Sequence, residues 1–258
     1  MKYLAFAFFG IIFILMTFIA QGYAKIDLQD VAGLWFFDEG EGSIVNDNSG
    51  NENHGKFNGA PQWTEDGVFG GALNCASQGH VLVQDSDTLD LEKEWTLTTW
   101  VRINPPVARW QHIINKRFDV EDNYAIRLQD IGKWEVYVNN GGWVRLGDPS
   151  PATGGEWVHL AATYDGQSVL TLYVNGEQIA TRAGVGPPPA NDIDLRFGSY
   201  QGNSGGMDGM IDDTAIFTVA LSPEEIVSIK EKGLAAVLKI HAIEPVGKLT
   251  TTWGDLRR

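Results

Sequence analysis

The sequence predicts an all-β fold: a two-sheet antiparallel sandwich of jelly-roll type with one short C-terminal helix. Three observations carry that prediction. Between Leu34 and Phe217 the apolar residues recur at a spacing of two rather than 3.6. The runs are short and are separated by turns rich in Gly, Pro, Asn and Asp, the pattern of antiparallel sandwiches. Only one segment after the N-terminus, beginning at Leu221, carries helix-capping signals.

The first 24 residues stand apart from this pattern. Lys2 is their only charge, Leu4 to Ala20 is nearly unbroken apolar sequence, and Gly22 and Ala24 occupy the −3 and −1 positions of a signal-peptidase site. Residues 1–24 therefore read as a signal peptide, cleaved before Lys25, that sends the protein to a secreted, periplasmic or cell-surface location. The rival is an uncleaved anchor, because the apolar run approaches the length of a spanning helix. No second hydrophobic span follows, so cleavage would leave no stable membrane span. Cys75 is the only cysteine and lies far from the junction. It makes neither a lipobox nor an internal disulfide, and reads as a small buried residue.

The chain has 258 residues, enough for one large core, and a formal net charge of −14. That balance argues against nucleic acid and anionic membranes as partners, since binding them requires neutralising phosphates.

Individual strands follow from the alternation. In WTLTTWVRI (95–103), Trp95, Leu97, Thr99, Val101 and Ile103 share one face, with Thr96, Thr98, Trp100 and Arg102 on the other. WEVYV (134–138), WVHLAATY (157–164), LTLYV (170–174) and LRFGSY (195–200) continue the series. Asn175-Gly176 signals a two-residue hairpin of type I′, and its register sets Leu172 opposite Ile179 and Tyr173 opposite Gln178. For the helix, Ser222 is the N-cap, Pro223 is at N1, Glu225 completes a capping box, Ile226 and Ile229 form the buried stripe, and Gly233 ends it. The domain is assigned to 25–233 and residues 234–258 to a tail of unknown role.

Two acidic regions lie at opposite ends of the domain. Asp38, Asp47, Ser49, Asn51, Asn53 and Asp212 are the candidate metal ligands, because calcium selects hard oxygen ligands on tightly turning backbone, and Gly50 permits the turn. The glycine and distal-glutamate spacing excludes an EF-hand. The competing account of 47–53 is a set of Asx turns in which the side chains satisfy their own backbone. His54 reads as a packed histidine, and no Cys/His cluster suggests zinc.

Taken together, LWFFDEGEG (34–42), DNSGNENHG (47–55), GVFGGALNC (67–75), HVLVQDSDTLDL (80–91), WTLTTWVRI, EWVHLAATYDG (156–166), LYVNGEQIA (172–180) and GMIDDTAIFTVALSPEEI (209–226) resemble the laminin-G-like, concanavalin A-like jelly-roll family of secreted bacterial proteins. The resemblance covers roughly residues 31–232. It implies two antiparallel sheets of six or seven strands, with the terminal strands side by side and the last helix across the end of the sandwich. It also implies that Asp38 and the 47–55 loop lie near Asp212 and Asp213, where such domains often carry calcium. Function is less constrained, because this fold hosts lectins, accessory modules, adhesins and enzymes.

For catalysis, related glucanases carry an alternating acidic strand such as E-x-D-x-x-E, which no strand here shows. Glu135 stands alone, Asp119, Glu121 and Asp122 form a loop run, and the adjacent Asp212 and Asp213 should point to opposite sheet faces. For binding, Arg109, Trp110, Tyr124, Trp143 and Tyr200 are the candidate ligand contacts, with Arg127 and Arg145 beside them. Aromatic rings accept the C–H faces of sugars, and planar polar groups take their hydroxyls. Trp35, Trp95, Trp100, Trp134 and Trp157 are assigned to the core. The expectation is a secreted, non-catalytic module binding a glycan or glycoprotein, with structural calcium. The alternatives are a protein-interaction or adhesion domain without a sugar site, and a divergent polysaccharide-cleaving enzyme.

Overall fold

The computed structural model describes residues 26–75, 79–118, 121–201 and 204–240. The predicted leader and most of the predicted tail lie outside the described residues. Two antiparallel sheets of eight strands each face one another. The first contains β1 (Val31–Trp35), β4 (Gln62–Thr64), β5 (Ala72–Asn74), β7 (Trp95–Ile103), β12 (Trp157–Tyr164), β13 (Leu170–Val174), β14 (Glu177–Arg182) and β16 (Gly209–Phe217). The second contains β2 (Ile44–Val45), β3 (Gly55–Gly59), β6 (Gly79–Val83), β8 (Gln111–Phe118), β9 (Glu121–Leu128), β10 (Trp134–Asn139), β11 (Trp143–Gly147) and β15 (Leu195–Phe197). The first runs in the order β14-β13-β12-β7-β16-β5-β4, with β1 also on β16, and the second β11-β10-β9-β8-β15-β6-β3-β2.

The side-chain period of two fills the space between the sheets. Leu97, Val101 and Ile103 from β7 meet Ile126, Leu128, Val136 and Val138 from β9 and β10 in one apolar core. Trp35, Trp95 and Trp134 are among its largest buried members. Cys75 is buried there, and burial pushes its thiol up to about 12. The first and last strands pair, with Leu34 opposite Ala215 and Trp35 opposite Thr214.

A second apolar cluster covers the other face of the first sheet. Helix α1 (Pro223–Lys232) has the expected capping box, Ser222 accepting from the Glu225 amide while Glu225 accepts from the Ser222 amide. Ile226 and Ile229 pack with Leu34, Ala161, Tyr173, Ala215 and Phe217. That cover explains why both faces of β7 are buried, Thr96 and Thr98 included. Gly233 ends α1 as expected, but a second short helix, α2 (Leu234–Val237), follows. Leu234 and Leu238 belong to the same cluster, so the folded domain extends past the predicted boundary at 233.

Three local expectations are corrected. Tyr173 does pair with Gln178, but a β-bulge places Leu172 opposite Ala180 rather than Ile179. The strand predicted over 195–200 stops at Phe197, because Gly198 turns into the left-handed region at φ 92°. Trp157 is only half-buried, with the Arg102 guanidinium 5.4 Å from its ring.

Candidate functional site

The outer face of the second sheet collects the candidate binding residues. Along β9, β10 and β11 the core takes Tyr124, Ile126, Leu128, Trp134, Val136, Val138, Val144 and Leu146. Their alternates must project outward: Ala125, Arg127, Glu135, Tyr137, Asn139, Trp143 and Arg145. Register aligns them across the strands, with Glu135 opposite Arg127, Tyr137 opposite both Ala125 and Arg145, and Asn139 opposite Trp143.

On this face guanidinium groups and aromatic rings alternate. Arg127 lies 4.8 Å from the Trp110 ring and 4.9 Å from Tyr137. Arg117 lies 4.3 Å from Tyr137 and 4.8 Å from Tyr200. Tyr200 stacks on His112, with ring centroids 5.1 Å apart. Arg145 lies 5.5 Å from the exposed ring of Trp143. Such cation–π contacts hold planar groups rigidly at little conformational cost. Burial and the charges of Arg127 and Arg117 push the His112 imidazole down to about 3, so it is neutral, and neither ring nitrogen has a hydrogen-bond partner.

The predicted set divides as follows. Trp110 and Trp143 are exposed, by 37% and 66%, and Tyr200 is half-buried at the edge of the stack. Arg109 flanks them and pairs with Asp208 at 3.5 Å. Tyr124 is corrected: it shares the parity of Ile126 and Leu128, is fully buried, and donates its hydroxyl to the Leu89 carbonyl at 3.0 Å. It cannot touch a ligand. Arg117, Tyr137 and His112 were missed. The parity of β10 pointed to Tyr137, whereas bulges on β8 obscured the other two.

Glu135, which stands alone as a carboxylate on its strand, is held by two polar partners. It accepts from Arg127 Nε at 2.7 Å and from Gln129 Nε2. Oε1 is thus occupied by a buried ion pair and Oε2 by a neutral amide, an arrangement that orients Arg127.

The acidic residues form two separate groups. Asp47 is bracketed by donors: Oδ1 accepts from the Leu34 and Ser49 amides, both at 2.9 Å, and Oδ2 from Ser49 Oγ at 2.8 Å and the Asn53 amide at 2.9 Å. Asn51 and Asn53 donate their side-chain amides to the Ala32 carbonyl at 3.1 and 2.8 Å. This loop is therefore strapped to the outer edge of β1 by its own side chains. Gly50 makes the turn at φ 94°. His54 is exposed rather than packed, and its Nδ1 accepts from the Asp47 amide at 3.0 Å.

The other group sits where β16 changes neighbours. Met210 and Ile211 pair with β5, Thr214 to Phe217 pair with β1, and Asp212 and Asp213 fall between. A bulge there, with Asp213 at φ 44°, breaks the alternation that predicted opposite faces. Asp212 Oδ2 accepts from the Val68 and Phe69 amides at 2.7 and 3.0 Å, and Asp213 Oδ2 from the Leu234 amide at 2.8 Å. Asp38, at the rim, accepts from the Gly71 amide at 2.6 Å. Gly70 approaches so closely that a Cβ there would lie 2.4 Å from Asp38 Oδ1. Burial lifts Asp212 to about 6, and burial with the neighbouring Asp212 charge lifts Asp213 to about 8. Asp212 Oδ1 is buried without a hydrogen-bond partner. Among the described residues, no three His, Cys, Asp or Glu side chains form a group that could hold a metal ion by themselves.

With fold and face in view, comparison with known proteins places the chain. The family model of the concanavalin A-like lectin/glucanases superfamily, in its laminin G form, matches residues 76–227, more than half of the sequence. The chain belongs to that family. A segment of 109 residues is 34% identical to pappalysin-1 of Mus musculus, covering 40% of this chain and 6% of that protein. Domain 4 of AbnA, a GH43 extracellular arabinanase from Geobacillus stearothermophilus solved with arabinotriose, superposes with a TM-score of 0.65 at 18% identity, over 78% of this chain and 98% of that one. The binding domain of botulinum neurotoxin DC, solved with rat synaptotagmin II, gives a TM-score of 0.64 at 16% identity, over 80% of this chain and 52% of that one. At these identities the structural likeness is one of fold.

Proposed function

We propose that this protein is an exported, non-catalytic module that binds a glycan or glycoprotein through the outer face of its second sheet. The supporting observation is the cation–aromatic array on that face, ending in the exposed Trp143. A ring exposed by 66% on a strand rather than a loose loop is pre-organised for stacking, and its neighbours supply donors for hydroxyls. Domain 4 of the arabinanase, with its arabinotriose, is a precedent on the same fold. A glycan array probed with the protein tests the proposal: selective saccharide binding, lost in Trp143→Ala, supports it. Absence of saccharide binding would move the proposal to a protein ligand, for which the toxin domain with synaptotagmin II is the precedent.

Calcium enters the proposal at the buried Asp212, beside Asp213, with the ion drawing most of its ligands from outside the acidic side chains, which among the described residues form no three-residue group there. The fit rests on the orphaned Asp212 Oδ1 and on two buried carboxylates whose ionisation is opposed first by burial and then by neighbouring carboxylates, Asp38 for Asp212 and Asp212 with Asp38 for Asp213. A hard cation would neutralise them and lock the β5–β16–β1 junction, taking its remaining ligands from backbone carbonyls or water. Asp47, Ser49, Asn51 and Asn53 would then act as a hydrogen-bonded strap beside the corner.

A further inference from the structure

We infer that the saccharide taken by this face is anionic, with its carboxylate received by Arg145 while a sugar ring lies on Trp143. The inference rests on the glycan-binding proposal for the same face and narrows it to a chemical class. Trp143 and Arg145 are two residues apart on β11, so they project from the same side. Both are exposed. Arg102, Arg109, Arg127 and Arg196 each have a carboxylate within 4 Å, whereas no such ion pair to Arg145 is present among the described residues. Its guanidinium, 5.5 Å from the Trp143 ring, is held beside the stacking surface with its donor fork available.

Tyr137, directly opposite Arg145, carries the guanidinium groups of Arg117 and Arg127 on its ring. The protein as a whole has a net charge of −14. Because Glu135 already balances Arg127, an acidic ligand would be repelled by most of the surface and drawn to Arg145. From β11 to β8 the face spans three inter-strand spacings, roughly 14 Å. That length takes Trp143 and Arg145 at one end and Trp110 and Tyr200 near the other, which suits a short oligosaccharide lying across the strands.

Calorimetric titration of the protein with a galacturonic-acid trimer, sialyllactose and neutral arabinotriose tests this. At least one acidic probe should bind on the order of tenfold or more tightly than the neutral one, as expected for a charged hydrogen bond, and added salt should narrow the gap. Arg145→Gln should remove that advantage, Arg145→Lys should keep part of it, and neither should shift the melting curve. The two acidic probes distinguish uronate from sialate. Arabinotriose binding as well as both acids, or Arg145→Gln leaving the preference intact, would overturn the anionic assignment while the glycan-binding proposal stood. If none of the three binds, the anionic assignment fails, and the glycan array decides the broader proposal separately.

Discussion

Arg127 and Glu135 face each other across β9 and β10 in an ion pair almost fully removed from solvent, with Nε and Oε1 2.7 Å apart. Two aromatic rings and one carboxylate thereby fix a guanidinium in the middle of the candidate binding face. Burial lowers the Arg127 pKa, and the Glu135 charge and hydrogen bond offset only part of that lowering. Removing one member would strand the other's charge. Glu135→Ala should therefore destabilise the domain by about 3–5 kcal/mol in urea unfolding. A double replacement of both residues by methionine should restore most of that loss. A single variant as stable as the parent would mean that Arg127 reaches solvent.

Trp143 and Trp95 offer a contrast between surface and core. Trp143→Ala should abolish saccharide binding and leave Tm within a degree or two, since exposed substitutions generally change stability by about 0.5 kcal/mol or less. Trp95→Ala, at a fully buried position, should cost roughly 3–5 kcal/mol. Half-buried Trp157 belongs between them. Unfolding of Trp143→Ala would assign that ring to the core.

Much of the architecture was legible because a half-buried strand alternates. β7, β12 and β13 have the limits read from their sequences, and the Asn-Gly turn and capping box formed as expected. Bulges were not legible. They shifted Leu172 to Ala180, brought Asp212 and Asp213 into one corner, and obscured which side of β8 Arg117 takes. A bulge answers packing on both sides of a strand and has no local residue signature here. Tyr124 was within reach of parity, since it is two residues from Ile126 and four from Leu128. Its aromatic character, read without its strand, suggested a ligand contact.

Asp47 organises its loop through four hydrogen bonds, so its removal has a consequence independent of any cation. Asp47→Ala would leave the Leu34 and Asn53 amides without their acceptor beside β1. Each buried donor left unsatisfied costs about 1–3 kcal/mol. The variant should lose several degrees of Tm, and by the same amount in EDTA as in calcium. A loss seen only in calcium would instead make Asp47 a metal ligand.

Calcium at the acidic corner would bind only the folded state, so excess ion should raise Tm, by about 2.7 kcal/mol of stability at a hundred times Kd. EDTA should reverse the shift. Asp212→Asn should remove the calcium response while raising the stability of the EDTA-treated protein, because it deletes a buried charge. Identical melting of the parent in EDTA and in calcium would leave the two carboxylates to be neutralised by protons alone.

Acid should weaken the fold through two histidines that are buried neutral. His159 shares a 2.8 Å hydrogen bond between Nε2 and Thr98 Oγ1, while its Nδ1 is buried without a partner beneath α1 and the first sheet's outer cluster. Burial, with a smaller contribution from Lys230, pushes it from 6.5 down to about 3, close to the position of His112. Below pH 6.5 the unfolded chain takes up these protons and the folded one does not. Their contribution is therefore complete above pH 6.5 and is lost as pH falls toward 3, by about 1.4 kcal/mol per unit for each histidine. Asp212 and Asp213, whose pKa values are raised, act in the opposite sense over the range in which they titrate, so the comparison must be with a variant at each pH. His159→Gln should flatten the decline between pH 6 and 4 by one histidine's share in urea unfolding, leaving the slope from His112. Parallel stability curves for variant and parent would show that His159 is protonated as readily in the fold as in the open chain.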